Sequence, residues 1–131
     1  MKMEKVDYEQ VWKEADAAFA AAYVAEKPPV YEVGSAKGFG NEIDRSKPVY
    51  QMEGLCGFAW VNVGDGRSAW AKWVKVNKDG YNDYYGGISV WSSRFSGDYS
   101  QSMERKIAGC RAAADVFKKY GLKAFVGSRL D

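Results

Sequence analysis

Gly86-Gly87-Ile88-Ser89-Val90-Trp91 reads as a strand, and the chain beyond it reads as a long helix ending at Lys119 and Tyr120. Met103, Ile107, Cys110, Ala114 and Phe117 recur at intervals of four, three, four and three, which is one buried stripe of a helix. Asp98 with Gln101 has the spacing of a capping box ahead of it. Gly109 in its middle costs about 1 kcal/mol relative to Ala, and a close helix–sheet contact would explain it. Gly121 suits the left-handed residue that ends a helix, and residues 122–126 then read as a strand. Strand, helix and strand in this order predict an α+β domain with the helix packed on a sheet.

Upstream, residues 55–63 alternate Leu55, Gly57, Ala59, Val61 and Val63 with Cys56, Phe58, Trp60 and Asn62. Both sets are largely apolar, so both faces of this strand are expected to be covered. Gly64-Asp65-Gly66 marks a turn. Residues 69–76 suit a helix through Trp70, Trp73, Val74 and Asn77, and a strand through Trp70, Lys72, Val74 and Val76. The Asn77-Lys78-Asp79-Gly80 that follows is a hairpin-turn sequence, so the strand is preferred. Residues 81–91 return as its partner, with Gly86-Gly87 marking a bulge or a close backbone approach. The expected sheet is therefore a three-stranded antiparallel meander plus short strands.

The N-terminal helix is announced by Asp7 and Gln10, a first capping box. Val11, Trp12, Ala15, Ala18, Phe19, Ala22 and Tyr23 share one face, and Pro28-Pro29 ends the helix. Residues 30–33 form a short strand. Residues 34–51 hold Gly34, Ser35, Gly38 and Gly40 and read as a long loop.

A chain of 131 residues with 47% apolar content forms one packed domain. It has no histidine, which removes Ser-His and Cys-His nucleophile pairs and every His-containing metal site. No spacing of catalytic residues is present, so neither an enzyme nor a cofactor nor a metal is expected. Asp79 and Asp83 lack the ligand ladder of a calcium loop and read as turn residues. Gly64-Asp65-Gly66-Arg67 resembles a phosphate-cradling turn, but a lone Gly-x-Gly without a clear helix after it reads better as a hairpin turn. Cys56 and Cys110 sit among apolar or small residues and are expected as buried free thiols. The start of the chain has no apolar signal core, and no run approaches membrane-spanning length, so the expected setting is a reducing cytoplasm without membrane contact.

Charge is uneven: residues 1–65 carry 7 Lys/Arg against 11 Asp/Glu, and residues 66–131 carry 12 against 6. Such a division suits either an anionic partner for the second half or attraction between the halves. The best candidate site is a basic-aromatic hairpin, in which Arg67, Lys72, Lys75 and Lys78 interleave with Trp70, Trp73, Tyr81, Tyr84 and Tyr85. Rings and cations together serve both protein hot spots and stacked nucleic acid. A protein partner leads, because the overall charge of +2 is slight. The alternatives are a nucleic-acid-binding module and a structural virion component.

Two resemblances bear on these expectations. Cys56-Gly57-Phe58-Ala59-Trp60-Val61, Gly86-Gly87-Ile88-Ser89-Val90-Trp91, Gln101-Ser102 and Gly127-Ser128-Arg129-Leu130-Asp131 are similar to segments of small uncharacterised proteins encoded by tailed phages. That resemblance implies a viral accessory protein that binds and inhibits a host or defence protein in the host cytoplasm. Pro28-Pro29-Val30-Tyr31-Glu32-Val33, with Glu104-Arg105-Lys106-Ile107-Ala108 and Ala112-Ala113-Ala114, resembles the first strand and second helix of the double-stranded RNA-binding domain. It implies phosphate contacts from Arg105 and Lys106 across minor grooves. The chain departs from that family in lacking its loop histidine, in its long segment between first and second strands, and in a further strand after the helix.

Overall fold

The computed structural model describes residues 5–131. Helix α1 (Tyr8–Ala25) starts where the sequence places it, with the Asp7 carboxylate accepting from the Gln10 amide at 3.2 Å. Its buried face is Val11, Trp12, Ala15, Phe19 and Tyr23. Strands β1 (Val30–Gly34) and β2 (Val49–Glu53) pair antiparallel as a separate two-stranded arm. The long loop expected over 34–51 is thus shorter, because Val49, Tyr50 and Gln51 open a strand. That strand lies mostly in solvent, so no inward alternation betrayed it.

Strands β3 (Gly57–Asn62), β4 (Tyr81–Asn82), β5 (Ile88–Trp91) and β6 (Phe125–Leu130) form a four-stranded sheet in the order β4-β5-β3-β6. Every neighbouring pair is antiparallel. The α+β class, the N-terminal helix, the long C-terminal helix on the sheet and a final strand all stand as expected, but that strand runs over Phe125–Leu130 and not over 122–126, because pairing with β3 begins only at Phe125. The meander does not. Residues 69–77 are helix α2 (Ala69–Asn77), so β3 pairs directly with β5, and the two-residue β4 that comes between them in the chain lies on the far side of β5.

The reasons are local. The Ser68 hydroxyl accepts from the Ala71 amide at 3.0 Å and caps the helix. Trp70, Ala71 and Val74 then bury one face. The Asn77-Lys78-Asp79-Gly80 sequence ends this helix instead of turning a hairpin. The Lys78 and Gly80 amides both donate to the Val74 carbonyl, at 2.8 and 3.3 Å, and Asp79 takes a φ of 54°. Asn, Asp and Gly enter the left-handed region in hairpin turns and in helix C-caps alike, so the same residues serve either.

Helix α3 (Met103–Lys119) buries Gly109, Cys110, Ala113, Ala114 and Phe117. Met103 and Ile107, expected in the stripe, are only half-buried. The stripe is turned because α3 meets α1 as well as the sheet. A Cβ on Gly109 would fall 2.7 Å from the Phe19 ring, so this glycine serves a helix–helix approach and not the helix–sheet contact expected. The cap is Ser102, whose hydroxyl accepts from the Arg105 amide at 3.3 Å. Asp98 is used elsewhere: it accepts from Tyr23, Ser92 and Lys106. No helix among the described residues is long and apolar enough to cross a membrane.

Candidate functional site on the uncovered sheet face

Alternation in β3 sends Ala59, Val61 and Val63 into the core, where each is at most 1% exposed. Phe58, Trp60 and Asn62 therefore point to the opposite face. Pairing brings Trp91 beside Trp60, Ser89 beside Asn62 and Tyr81 beside Ser89. On the other flank, Arg129 lies beside Phe58 and Gly127 beside Trp60. Both strand faces were expected to be covered, but the helices occupy only one. The other carries Phe58, Trp60, Tyr81, Trp91, Phe125 and Arg129 toward solvent.

The rings are arranged, not scattered. Trp60 and Trp91 meet edge to face at 5.6 Å and 81°, while Tyr81 stacks on Trp91 at 5.2 Å and 22°. The Trp60 indole lies over Gly127, where any Cβ would overlap it. That glycine lets the ring lie against the β6 backbone. The Arg129 guanidinium sits 5.3 Å over Phe58.

Two grooves follow. One of about 520 Å³ is lined by Trp60, Tyr81, Asp83, Tyr84, Tyr85 and Arg129 among others. The other, of about 380 Å³, is lined by Phe58, Trp91, Ser93, Gln101, Lys106 and Arg129 among others. Trp91 and Arg129 border both, so the two grooves adjoin at these residues. A larger concavity of about 770 Å³ lies within residues 37–46. Its walls come from one mostly exposed loop, so it lacks the opposed elements that fix a site.

The turn bearing Tyr84 and Tyr85 is held firmly. Asp83 accepts from the Tyr85 amide at 2.9 Å and from the Ser89 hydroxyl at 2.6 Å, and these bonds, Ser89 first, hold its carboxyl below the usual range. Asn62 donates to the Gly86 carbonyl at 2.9 Å. Gly87 has a φ of 77°, and a Cβ there would stand 2.7 Å from the Gly64 carbonyl, the close backbone approach that the paired glycines predict. Burial raises the Tyr81 phenol above its ordinary value. Tyr84 and Tyr85 themselves are 91% and 93% exposed.

The residues singled out in the sequence divide into three groups. Tyr81, Tyr84 and Tyr85 belong to this face. Arg67, Trp70, Lys72, Trp73, Lys75 and Lys78 belong to α2 and its flanks. Arg67 pairs with Asp65, whose carboxyl that bond lowers to about 2. Lys72 and Lys75 are exposed, and the Lys78 ammonium lies 5.3 Å from the Trp12 ring centre and 5.7 Å from that of Trp73. Trp70 is core, 4% exposed, and its indole N–H donates to the Lys123 carbonyl at 3.2 Å. Arg105 and Lys106 form the third group and are spent internally. Arg105 binds Glu53 and the Tyr23 and Val24 carbonyls, and Lys106 binds Asp98.

Phe58, Trp60, Trp91 and Arg129 were missed. Gly127 was the available signal once the last strand is carried past residue 126, since a glycine within a strand marks a close approach. Cys56 is half-buried, with its thiol 3.6 Å from the Met52 sulfur, and Cys110 is fully buried; both are free. No group of three or more His, Cys, Asp or Glu residues among those described is placed to hold a metal. Comparison with protein-family models, with curated proteins and with solved structures finds no match.

Proposed function

We propose that this chain is a non-enzymatic binding protein that takes a partner protein on the aromatic face of its four-stranded sheet. The observation that carries the reading is the pair of adjoining grooves around Trp91 and Arg129, with Tyr84 and Tyr85 standing almost fully exposed beside them. Trp, Tyr and Arg are the residues that dominate protein-interface energetics. The turn carrying the two tyrosines is already tied by Asp83 and Asn62, so little ordering is left to offset binding. A protein partner is favoured over nucleic acid because Arg105 and Lys106 are engaged by Glu53 and Asp98, and Asp83 adds a negative charge to the groove. The resemblance to phage accessory proteins supports a host or defence protein as that partner.

The test is capture of partners by the purified chain, with and without nuclease. Wild type should retain a protein that nuclease treatment leaves in place. Tyr84→Ser with Tyr85→Ser, or Arg129→Ala, should lose it, while Lys72→Glu with Lys75→Glu should keep it. Loss on nuclease treatment, or loss only in the α2 variant, would overturn the reading.

A further inference from the structure

Strand β6 is the longest edge the sheet presents, and its outer side is unpaired among the described residues. The ladder settles which backbone groups face outward. The Asp131 amide donates to the Cys56 carbonyl at 3.1 Å. In an antiparallel ladder, hydrogen-bonded positions alternate. Residues 125, 127, 129 and 131 therefore bond inward to β3. Val126, Ser128 and Leu130 turn their amides and carbonyls outward.

This edge has none of the usual guards. It is six residues long without proline or bulge. Its one charge, Arg129, is drawn over the Phe58 ring on the sheet face. Phe125 and Leu130 are 62% and 59% exposed. The opposite edge, β4, is only two residues long.

We propose that β6 pairs antiparallel with β6 of a second copy of this chain, about a twofold axis through Ser128. The sequence is self-complementary in that register. Ser128 faces Ser128 of the other copy. Val126 faces Leu130, twice. The three outward-bonding residues of each copy then meet outward-bonding residues of the other, giving three hydrogen-bonded pairs in place of six solvated positions. The small Ser128 hydroxyls leave room on the axis, and on the helix side the Val126–Leu130 pairs cover apolar surface now in solvent. On the other side, Gly127 faces Arg129 of the second copy beside Trp60. The two aromatic faces become one continuous sheet surface, and an isologous contact of this kind closes at two subunits. The pairing does not depend on the partner-binding reading.

Sedimentation equilibrium of the purified chain tests it. One strand pair is small beside an interface of about 1,600 Å², so a monomer–dimer equilibrium between about 1 µM and 1 mM is expected. Ser128 is exposed, so Ser128→Lys and Ser128→Asp should each fold with unchanged circular dichroism and sediment as monomers, because each sets like charges on the axis. Mixing the two in equal amounts should restore a dimer. Wild type that remains monomeric at about 1 mM overturns the proposal and leaves the edge to an extended segment of another protein. Persistence of the dimer in both single variants overturns it too, by placing the interface elsewhere.

Discussion

The Lys106 ammonium lies 2.9 Å from the Asp98 carboxylate, and the two side chains are only 11% and 3% exposed. The same carboxylate accepts from the Tyr23 hydroxyl at 2.8 Å and from the Ser92 hydroxyl at 2.7 Å. One aspartate thus ties α1, the turn after β5 and the first turns of α3. It fixes the wall of the smaller aromatic groove, which Lys106 lines.

Removing one partner of such a pair strands the other. Asp98→Ala should lower unfolding free energy by about 3–5 kcal/mol, read from urea denaturation. Lys106→Met leaves the carboxylate with its two hydroxyl donors and should cost less. Equal costs would mean that the hydroxyls contribute nothing.

Gly109 gives a prediction that opposes helix propensity. Alanine is the better helix former by about 1 kcal/mol, yet the added methyl would press into the Phe19 ring. Gly109→Ala should therefore destabilise by about 1–3 kcal/mol. Phe19→Leu in the same chain should recover part of that loss, so the two changes should not add. A stabilised Gly109→Ala would show that α1 and α3 are not in close contact there.

How far these features could be read in advance depends on the residues concerned. Asp7, Val11, Trp12, Phe19 and Tyr23 spell α1 over many turns, and Cys110, Ala114 and Phe117 do the same for α3. Residues 69–77 give two turns only, and Trp70 and Val74 satisfy both periods. The arm strands show no alternation because solvent lies on both sides. Tyr81, Tyr84 and Tyr85 were legible as surface aromatics because they crowd a turn. Trp60, Trp91 and Arg129 are far apart in the chain and meet only through strand register, which no single segment states.

Burial pushes the Cys110 thiol up to about 12 from an ordinary value of 9.0. The folded state thus holds that proton more tightly than the unfolded chain. The stabilisation is fully present below pH 9.0 and is lost as pH rises toward about 12. Burial also raises the Tyr23 phenol above 10.0, which steepens the upper part of the same window. Unfolding free energies from urea denaturation between these limits should fall by a total of up to roughly 4 kcal/mol from the thiol, and Cys110→Ala should flatten the fall while leaving the tyrosine's share. The same burial keeps Cys110 inert, so in the native state a thiol reagent should label half-buried Cys56 first. Faster labelling of Cys110 would contradict its placement.

Gly127 and Trp60 allow the aromatic face to be tested without touching an exposed side chain. A Cβ at Gly127 would overlap the indole, and the sheet offers the ring no second place against β6. Gly127→Ala should therefore lift Trp60 off the strand and shift tryptophan fluorescence toward longer wavelength as the ring enters water. The cost in stability should be about 1–3 kcal/mol. Trp60→Ala alone removes the ring and its contact with Trp91, a loss of similar size for a half-exposed aromatic pair. In the double variant the methyl has nothing to strike, so the combined cost should be less than the sum by at least about 0.5 kcal/mol. Strict additivity would mean that the indole does not lie over Gly127, and the larger groove would lose its floor.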